Sequence, residues 1–314
     1  MRIGAYILRI AIISDVHGNY PALVKVIEDA RTSGVEQFVF LGDYIFDLPY
    51  PNEVTRLLMK IDNAHIIKGN KETYLAGLAE SDQTDWIYDQ IGGIYQTFRY
   101  LEPDAVKYLL DLKEEGYIQL DNGHRLFATH CLKSLKQKSK QNCGSSVFHR
   151  KMLDGPFTHE DFLDDFRVLL QRDDIKYEID SINASIIAFG HNHLQSYGYC
   201  NGKLVINPGS CGQPLDFNND AAYTIIETTS EGYYIEEKRV KYDIDLLIEG
   251  AKLSALYENG KVWTELVFRA LETGRDYFGI FFEIARNIAE TKGEQGQFFS
   301  NYTWREAYEV FANK

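Results

Sequence analysis

Seven side chains that could bind a metal ion stand at or just beyond short apolar runs: Asp15 and His17, Asp43, Asn70, His130, and His191 and His193. In D-x-H and H-x-H the two-residue spacing puts both side chains on one side of an extended segment. Any one of them alone reads as a helix cap, a turn residue or a surface histidine. Gathered at one place, these oxygen and nitrogen donors suit a pair of borderline divalent ions, with the carboxylates offsetting part of the charge. Two ions about 3.5–4 Å apart can hold a hydroxide and clamp phosphoryl oxygens during in-line attack on phosphorus. Asn70, inside GNKE (69–72), stays open at this level between turn former and ligand.

Gathering them requires strands that end side by side. ILRIAII, VEQFVFLGD and AHIIKGN are apolar runs that pass into polar loops and then into helical periodicity, giving three strand–loop–helix units in the first 75 residues. Such units predict an α/β layered core whose loops collect beyond the strand ends. HRLFATH and SIIAFGHNH repeat the pattern. SYGYC, GKLVINPGS, AAYTIIETT and GYYIEEKRVKY predict a second sheet with antiparallel pieces. Residues 77–118 read as mostly helical, and FLDDFRVLLQRDD as a further helix. The texture changes at 243–314, where three or four helices are expected as an extension or cap on a core spanning 1–242.

The 314 residues carry a formal charge of −13, which aids solubility and weighs against nucleic acid held by bulk electrostatics. A metal cluster could still create a local positive site. Cys131, Cys143, Cys200 and Cys211 lack zinc-knuckle spacing and are too few for a disulfide scaffold, so reduced thiols and a cytoplasmic setting are the default reading. No run suggests a membrane span. The apolar start is split by Arg9 and ended by Asp15, which fits a buried first strand better than a signal segment.

D-V-H-G-N at 15–19, G-D at 42–43, G-N at 69–70, the histidine at 130 and G-H-N-H at 190–193 resemble, in order, the motifs of the calcineurin-like metallophosphoesterase superfamily. The resemblance covers residues 8 to about 241. More narrowly, GDYIFDLPYPNEV is similar to the GD-x-x-GYGPYPNEV segment of bacterial phosphodiesterase-like members, and NPGSCGQP at 207–214 to their NPGS-x-GQP. The resemblance implies an α/β/β/α sandwich of two sheets, with the helical extension outside it. It implies one metal on Asp15, His17, Asp43 and His193, and a second on Asn70, His130, His191 and the shared Asp43. It also implies that Asn19 positions a phosphate oxygen or the attacking water. The ions would be divalent or mixed-valence: Mn, Fe or Zn first, with Co or Ni also compatible.

Departures from the pattern shape the expected reaction. Lys71 fills the slot where protein phosphatases carry the histidine of G-N-H, so it either attracts phosphate as a point charge or turns to solvent. Phe46, Asp47 and Leu48 stand where an arginine and a glycine of the protein phosphatases would be sought. The expectation is therefore a dinuclear-metal phosphoester hydrolase acting on a small substrate, with diesters preferred. Monoester or phosphoprotein hydrolysis is the alternative, and a metal-bearing scaffold the further one. Cys131 is expected to pack rather than ligate, and the basic stretch 134–140 to be a solvated loop. Tyr44, Phe46, Tyr50 and Trp86 are candidates either for a pocket or for the core. The helical tail is a candidate entrance cap, partner-binding surface or homo-oligomer contact.

Overall fold

The computed structural model describes residues 8–120, 123–137, 155–229 and 232–313. Cys143, His149 and much of the basic stretch lie outside them. The first strand, β1 (Arg9–Ile13), shows why the chain builds two layers of sheet. Ile10 and Ile12 point to one side, where they meet Leu126, Ile186, Leu204 and Ile206. Ala11 and Ile13 point to the other, against Leu23, Val26 and Phe40. A strand apolar on both faces needs cover on both, and here one cover is helical and the other is a second sheet.

The first sheet adds β2 (Gln37–Phe40) and β3 (Ala64–Ile66), parallel to β1. The second is built from β4 (Glu115–Gln119), β5 (Arg125–Thr129), β6 (Ile186–Ala188), β7 (Gln195–Cys200) and β8 (Lys203–Pro208), in the order β4-β5-β6-β8-β7. Two differences from the sequence reading stand out. β9 (Ala221–Thr229) and β10 (Gly232–Val240) join the first sheet, in the order β10-β9-β1-β2-β3, rather than the second. β9 is apolar on both faces, with Ile226 in the inter-sheet core and Tyr223 and Ile225 in the outer one, so a place beside β1 buries both. In the stretch read as helical, β4 pairs with β5 and lodges Ile118 between the sheets.

Helices α1 (Tyr20–Thr32), α2 (Pro51–Leu58), α3 (Asn70–Glu80) and α5 (Pro103–Asp111) cover the first sheet, and α4 (Asp89–Tyr100) packs beside them. Pro103 opens α5 in the first turn, where its missing N–H costs nothing. Over the second sheet lie α6 (Lys133–Gln137), α7 (His159–Leu169) and α8 (Asp173–Ser181), burying Leu135, Phe166, Ile175 and Ile179. Cys131 is buried in that same core, as expected. The result is the α/β/β/α sandwich.

The C-terminal helices are α9 (Ile244–Lys252), α10 (Ala255–Asn259), α11 (Lys261–Thr273), α12 (Phe278–Thr291) and α13 (Asn301–Ala312). They hold a core of their own around Leu266, Phe281, Trp304 and Phe311. They are also fastened to the sandwich: Leu247, Val267 and Leu271 close over Leu48, and Ala270 meets Leu194 and Leu215. Among the described residues no helix is long and apolar enough to cross a membrane.

Candidate metal centre

The parallel strands of both sheets end at one edge, and the loops beyond them are tied together by backbone hydrogen bonds. The Asp15 N–H donates to Gly42 O (3.0 Å), His17 N–H to Asp43 O (2.9 Å) and Gly190 N–H to His130 O (3.0 Å). Two donor clusters result, one of Asp15, His17 and His193 and one of Asp43, His130 and His191, the ligating atoms within each lying within 4.8 Å of one another. In the first, His193 Nε2 is 3.3 Å from Asp15 Oδ1 and 3.1 Å from His17 Nε2. In the second, Asn70 Oδ1 lies 2.9 Å from His130 Nε2 and 3.0 Å from His191 Nδ1, which makes Asn70 a member of the group rather than a bystander in a turn. The clusters are neighbours, since the His191 backbone N–H donates to Asp15 Oδ2 at 3.0 Å. Asp15, His17, Asp43, His130 and His193 are buried, whereas Asn70 and His191 are half-buried and open the second cluster outward.

The outer nitrogens of three histidines are anchored. His130 Nδ1 meets Leu41 O at 2.8 Å, His193 Nδ1 meets Gln213 O at 2.7 Å, and His17 Nδ1 meets Asp47 Oδ2 at 2.7 Å. A carbonyl can only accept, so for His130 and His193 the Nδ1 carries the proton and Nε2 turns its lone pair inward when the ring is neutral. This is the arrangement that orients metal-ligating histidines. The inward atoms lack good partners among themselves: Asp15 Oδ1 is buried without a hydrogen bond, and the Nε2 atoms of His17 and His193 face each other. Once both rings are neutral, a buried carboxylate oxygen opposite two lone pairs is what a cation satisfies. The residues fit two divalent transition-metal ions.

Electrostatics agree. Burial lowers the affinity of His17 and His130 for protons, yet the carboxylates beside them (Asp15 and Asp47 for His17, Asp43 for His130) outweigh it and raise both to about 9. For Asp43, burial works upward but the charges of His130 and then His17 win, holding it at about 2. Asp43 therefore feels donors of both clusters, although its Oδ2 lies with the second, 3.4 Å from His130 Nε2. Burial, and next the charge of His130, push His191 down to about 4, so its ring is neutral near pH 7.

Backbone geometry concentrates at the same residues. Asp15, His17, Asp43, His191 and His193 all have positive φ, between 51° and 75°, a conformation that non-glycine residues adopt at a cost and that clusters at functional sites. Gly69 and Gly190 are required by contact: a Cβ would lie 2.2 Å from Asp43 Oδ1 at the first and 2.6 Å from Asp15 Oδ2 at the second. Glu72, the last residue of GNKE, is fully buried and accepts from the backbone N–H groups of Asp43 (3.0 Å), Tyr44 (2.8 Å) and Gly69 (2.7 Å). It ties the loop carrying Asp43 to the loop carrying Asn70.

Two expected catalytic residues have other surroundings. Asn19 caps α1, accepting from Ala22 N–H, while its amide donates to Gly212 O (2.8 Å) and Tyr242 Oη (3.1 Å). It is fully buried with both amide hydrogens engaged, which places it as a cap and cross-link beneath the centre. Lys71 does not turn to solvent. Its side chain is 17% exposed and Nζ sits 3.1 Å from Asp47 Oδ2, while its backbone N–H donates to Asp43 Oδ1 at 2.8 Å. Asp47 is the residue whose role sequence reasoning missed. It holds His17 and Lys71 through Oδ2, and its Oδ1 accepts from the Trp263 indole N–H at 2.7 Å, so α11 of the tail reaches the metal centre. The one available signal was its departure from the pattern.

The candidate aromatics divide. Tyr44 and Phe46 are core residues, Tyr44 donating to Ile67 O at 2.6 Å. Trp86 stacks on Tyr95, with ring centroids 4.2 Å apart, under the guanidinium of Arg99. Tyr50 packs against the tail. The basic stretch, as far as Gln137, begins as α6, where Glu178 accepts from the backbone N–H groups of Lys133 and Ser134, both at 2.7 Å.

The family model for the calcineurin-like phosphoesterase superfamily domain matches residues 8–231. The chain belongs to that superfamily. An uncharacterized protein of Methanocaldococcus jannaschii is 26% identical over 254 residues, covering 75% of this chain and 88% of its own. Among solved structures, a metallophosphoesterase from Sphaerobacter thermophilus is 19% identical with a TM-score of 0.52, covering 85% of this chain and 99% of its own. A hypothetical protein from Pyrococcus horikoshii is 18% identical with a TM-score of 0.53, covering 82% and 97%. These likenesses show the shared fold. Together with the paired clusters, membership of this superfamily supports a metal-dependent phosphoesterase.

Proposed function

We propose that the protein is a dinuclear-metal phosphoester hydrolase that prefers diesters to monoesters. The observation that carries this is the pair of adjoining clusters, with Nε2 of His17, His130 and His193 and Nδ1 of His191 turned inward. Asp15, His17 and His193 would hold one ion and Asn70, His130 and His191 the other, with Asp43 shared. Bound there, two ions supply Lewis-acid stabilisation of a phosphoryl group and lower the pKa of coordinated water. The chain's own contribution is orientation. Leu41 O, Gln213 O and Asp47 keep three imidazoles aimed, and Glu72 fixes the spacing between the Asp43 and Asn70 loops. With lysine in the slot of a leaving-group histidine, water or substrate protonates the departing alcohol.

The preference for diesters rests on charge. Lys71 is matched by Asp47, so this corner offers no surplus cation. A monoester dianion asks for more compensating charge than a diester monoanion. In one metal-loaded preparation, bis-aryl phosphate should be cleaved faster than mono-aryl phosphate. A monoester rate well above the diester rate reverses the preference.

A further inference from the structure

Beside the Asp47–Lys71 pair, between the sandwich and the tail, lies a cavity of about 270 Å³. Asp47 and Lys71 form its polar end. Tyr74, Trp263, Phe282 and Trp304 supply aromatic walls, and Ile91 and Ile94 of α4 supply aliphatic ones. The walls from the tail are continuous: the Trp263 and Phe282 ring centroids are 6.1 Å apart, and those of Phe282 and Trp304 5.8 Å. The polar end adjoins the metal centre, because Lys71 bonds Asp43 through its backbone and Asp47 through Nζ. The superfamily motifs contribute only the polar end of this cavity, since three of its four aromatic walls belong to the C-terminal helices.

Resting on the hydrolase reading above, we propose that this cavity receives an aromatic or heteroaromatic ring carried by the leaving group of the substrate. Flat π-rich walls favour a ring over an alkyl chain, through stacking and edge contacts as well as burial. Size sets a limit: pockets for drug-sized ligands span about 300–1,000 Å³, so this smaller space takes one ring system and not a polymer. Charge points the same way. Lys71 and Asp47 neutralise each other, so the cavity suits an uncharged group, while the ammonium has two further donors for an oxygen at the ring's point of attachment.

The test compares two diesters of similar leaving-group acidity, methyl benzyl phosphate and methyl propyl phosphate, on the manganese-loaded full chain. Wild type should favour the benzyl ester in kcat/KM by about tenfold, the order expected for burying one ring. Ile94→Trp, which fills the cavity, should bring that ratio close to one with metal content unchanged. Tyr74→Ala, a change at a wall residue that is 51% exposed and so safe for folding, should lower it severalfold. Equal cleavage of both esters by wild type, or a ratio that survives Ile94→Trp, overturns the cavity proposal and leaves the hydrolase reading standing. Calorimetry with benzylphosphonate and methylphosphonate separates the converse. Tighter benzylphosphonate binding, lost in Ile94→Trp, with neither ester cleaved, keeps the ring site and overturns the hydrolase reading. No cleavage and no ring-dependent binding overturns both.

Discussion

On the side of Asn70, His130 and His191, orientation comes from the sandwich itself: Leu41 O anchors His130, and Glu72 fastens the Asp43 and Asn70 loops. On the side of His17, the anchor is a carboxylate, Asp47, whose other oxygen is held by Trp263 of the tail. A backbone carbonyl cannot be mutated away and accepts without charge. A carboxylate adds charge to its histidine and depends on its own partners. One half of the centre is thus written into the fold, and the other, although Gln213 O anchors its His193, is coupled through His17 to a segment that the superfamily model does not reach.

The largest effect should come from the residue common to both halves. Asp43→Asn removes the charge proposed to serve both ions, and hydrolysis should fall about a thousandfold, together with loss of the second equivalent of metal. Normal occupancy and rate in that variant would refute the bridge. Next is Asp47→Asn, which should weaken one metal site about 10- to 100-fold and spare the other, the usual scale for losing a ligand's outer partner. Cobalt titration followed by absorption resolves the two steps. Equal weakening of both would mean that the halves are not separately oriented.

Protons sharpen the contrast further. In metal-stripped protein, His17 and His130 are raised to about 9. Their stabilising ion pairs are therefore fully present below the unfolded value of about 6.5 and lost as pH rises through about 9. Metal binding runs the other way, because each ion must displace a proton, so affinity should rise about tenfold per pH unit across that window for each proton released. The gap in Tm between loaded and stripped protein should widen from about pH 6.5 to 9. In Asp47→Asn the first site should lose much of this slope, since Asp47 contributes to the raised value of His17, while the second keeps it.

How much of this was legible beforehand follows from the range of the interactions. Asp15, His17, Asp43, Asn70, His130, His191 and His193 could be read because strand ends in an α/β sheet converge, and short-range spacing records where strands end. The sheet that β9 joins is not legible, because its apolar pattern reports burial on both faces but not which neighbour supplies it. For Asn19, a helix cap and a substrate-positioning amide are the same residue type, so sequence does not separate them. Its commitment to Gly212 and Tyr242 arises only across the folded molecule. Asp47 and Trp263 lie 216 positions apart, a pairing to which no local periodicity refers.

The smallest predicted effect tests that long-range contact most directly. Trp263→Phe keeps an aromatic ring against Phe278 and Phe282 but removes the N–H donated to Asp47. A single hydrogen bond contributes about 0.5–1.5 kcal/mol net, so affinity for the first metal should fall only about two- to tenfold. Asp47 still has His17 and Lys71, which limits the loss. The change should vanish in an Asp47→Asn background, where there is no longer a charged anchor to steady. Two independent losses, adding in the double variant, would mean that Trp263 serves only the packing of the tail and that the metal centre is oriented by the sandwich alone.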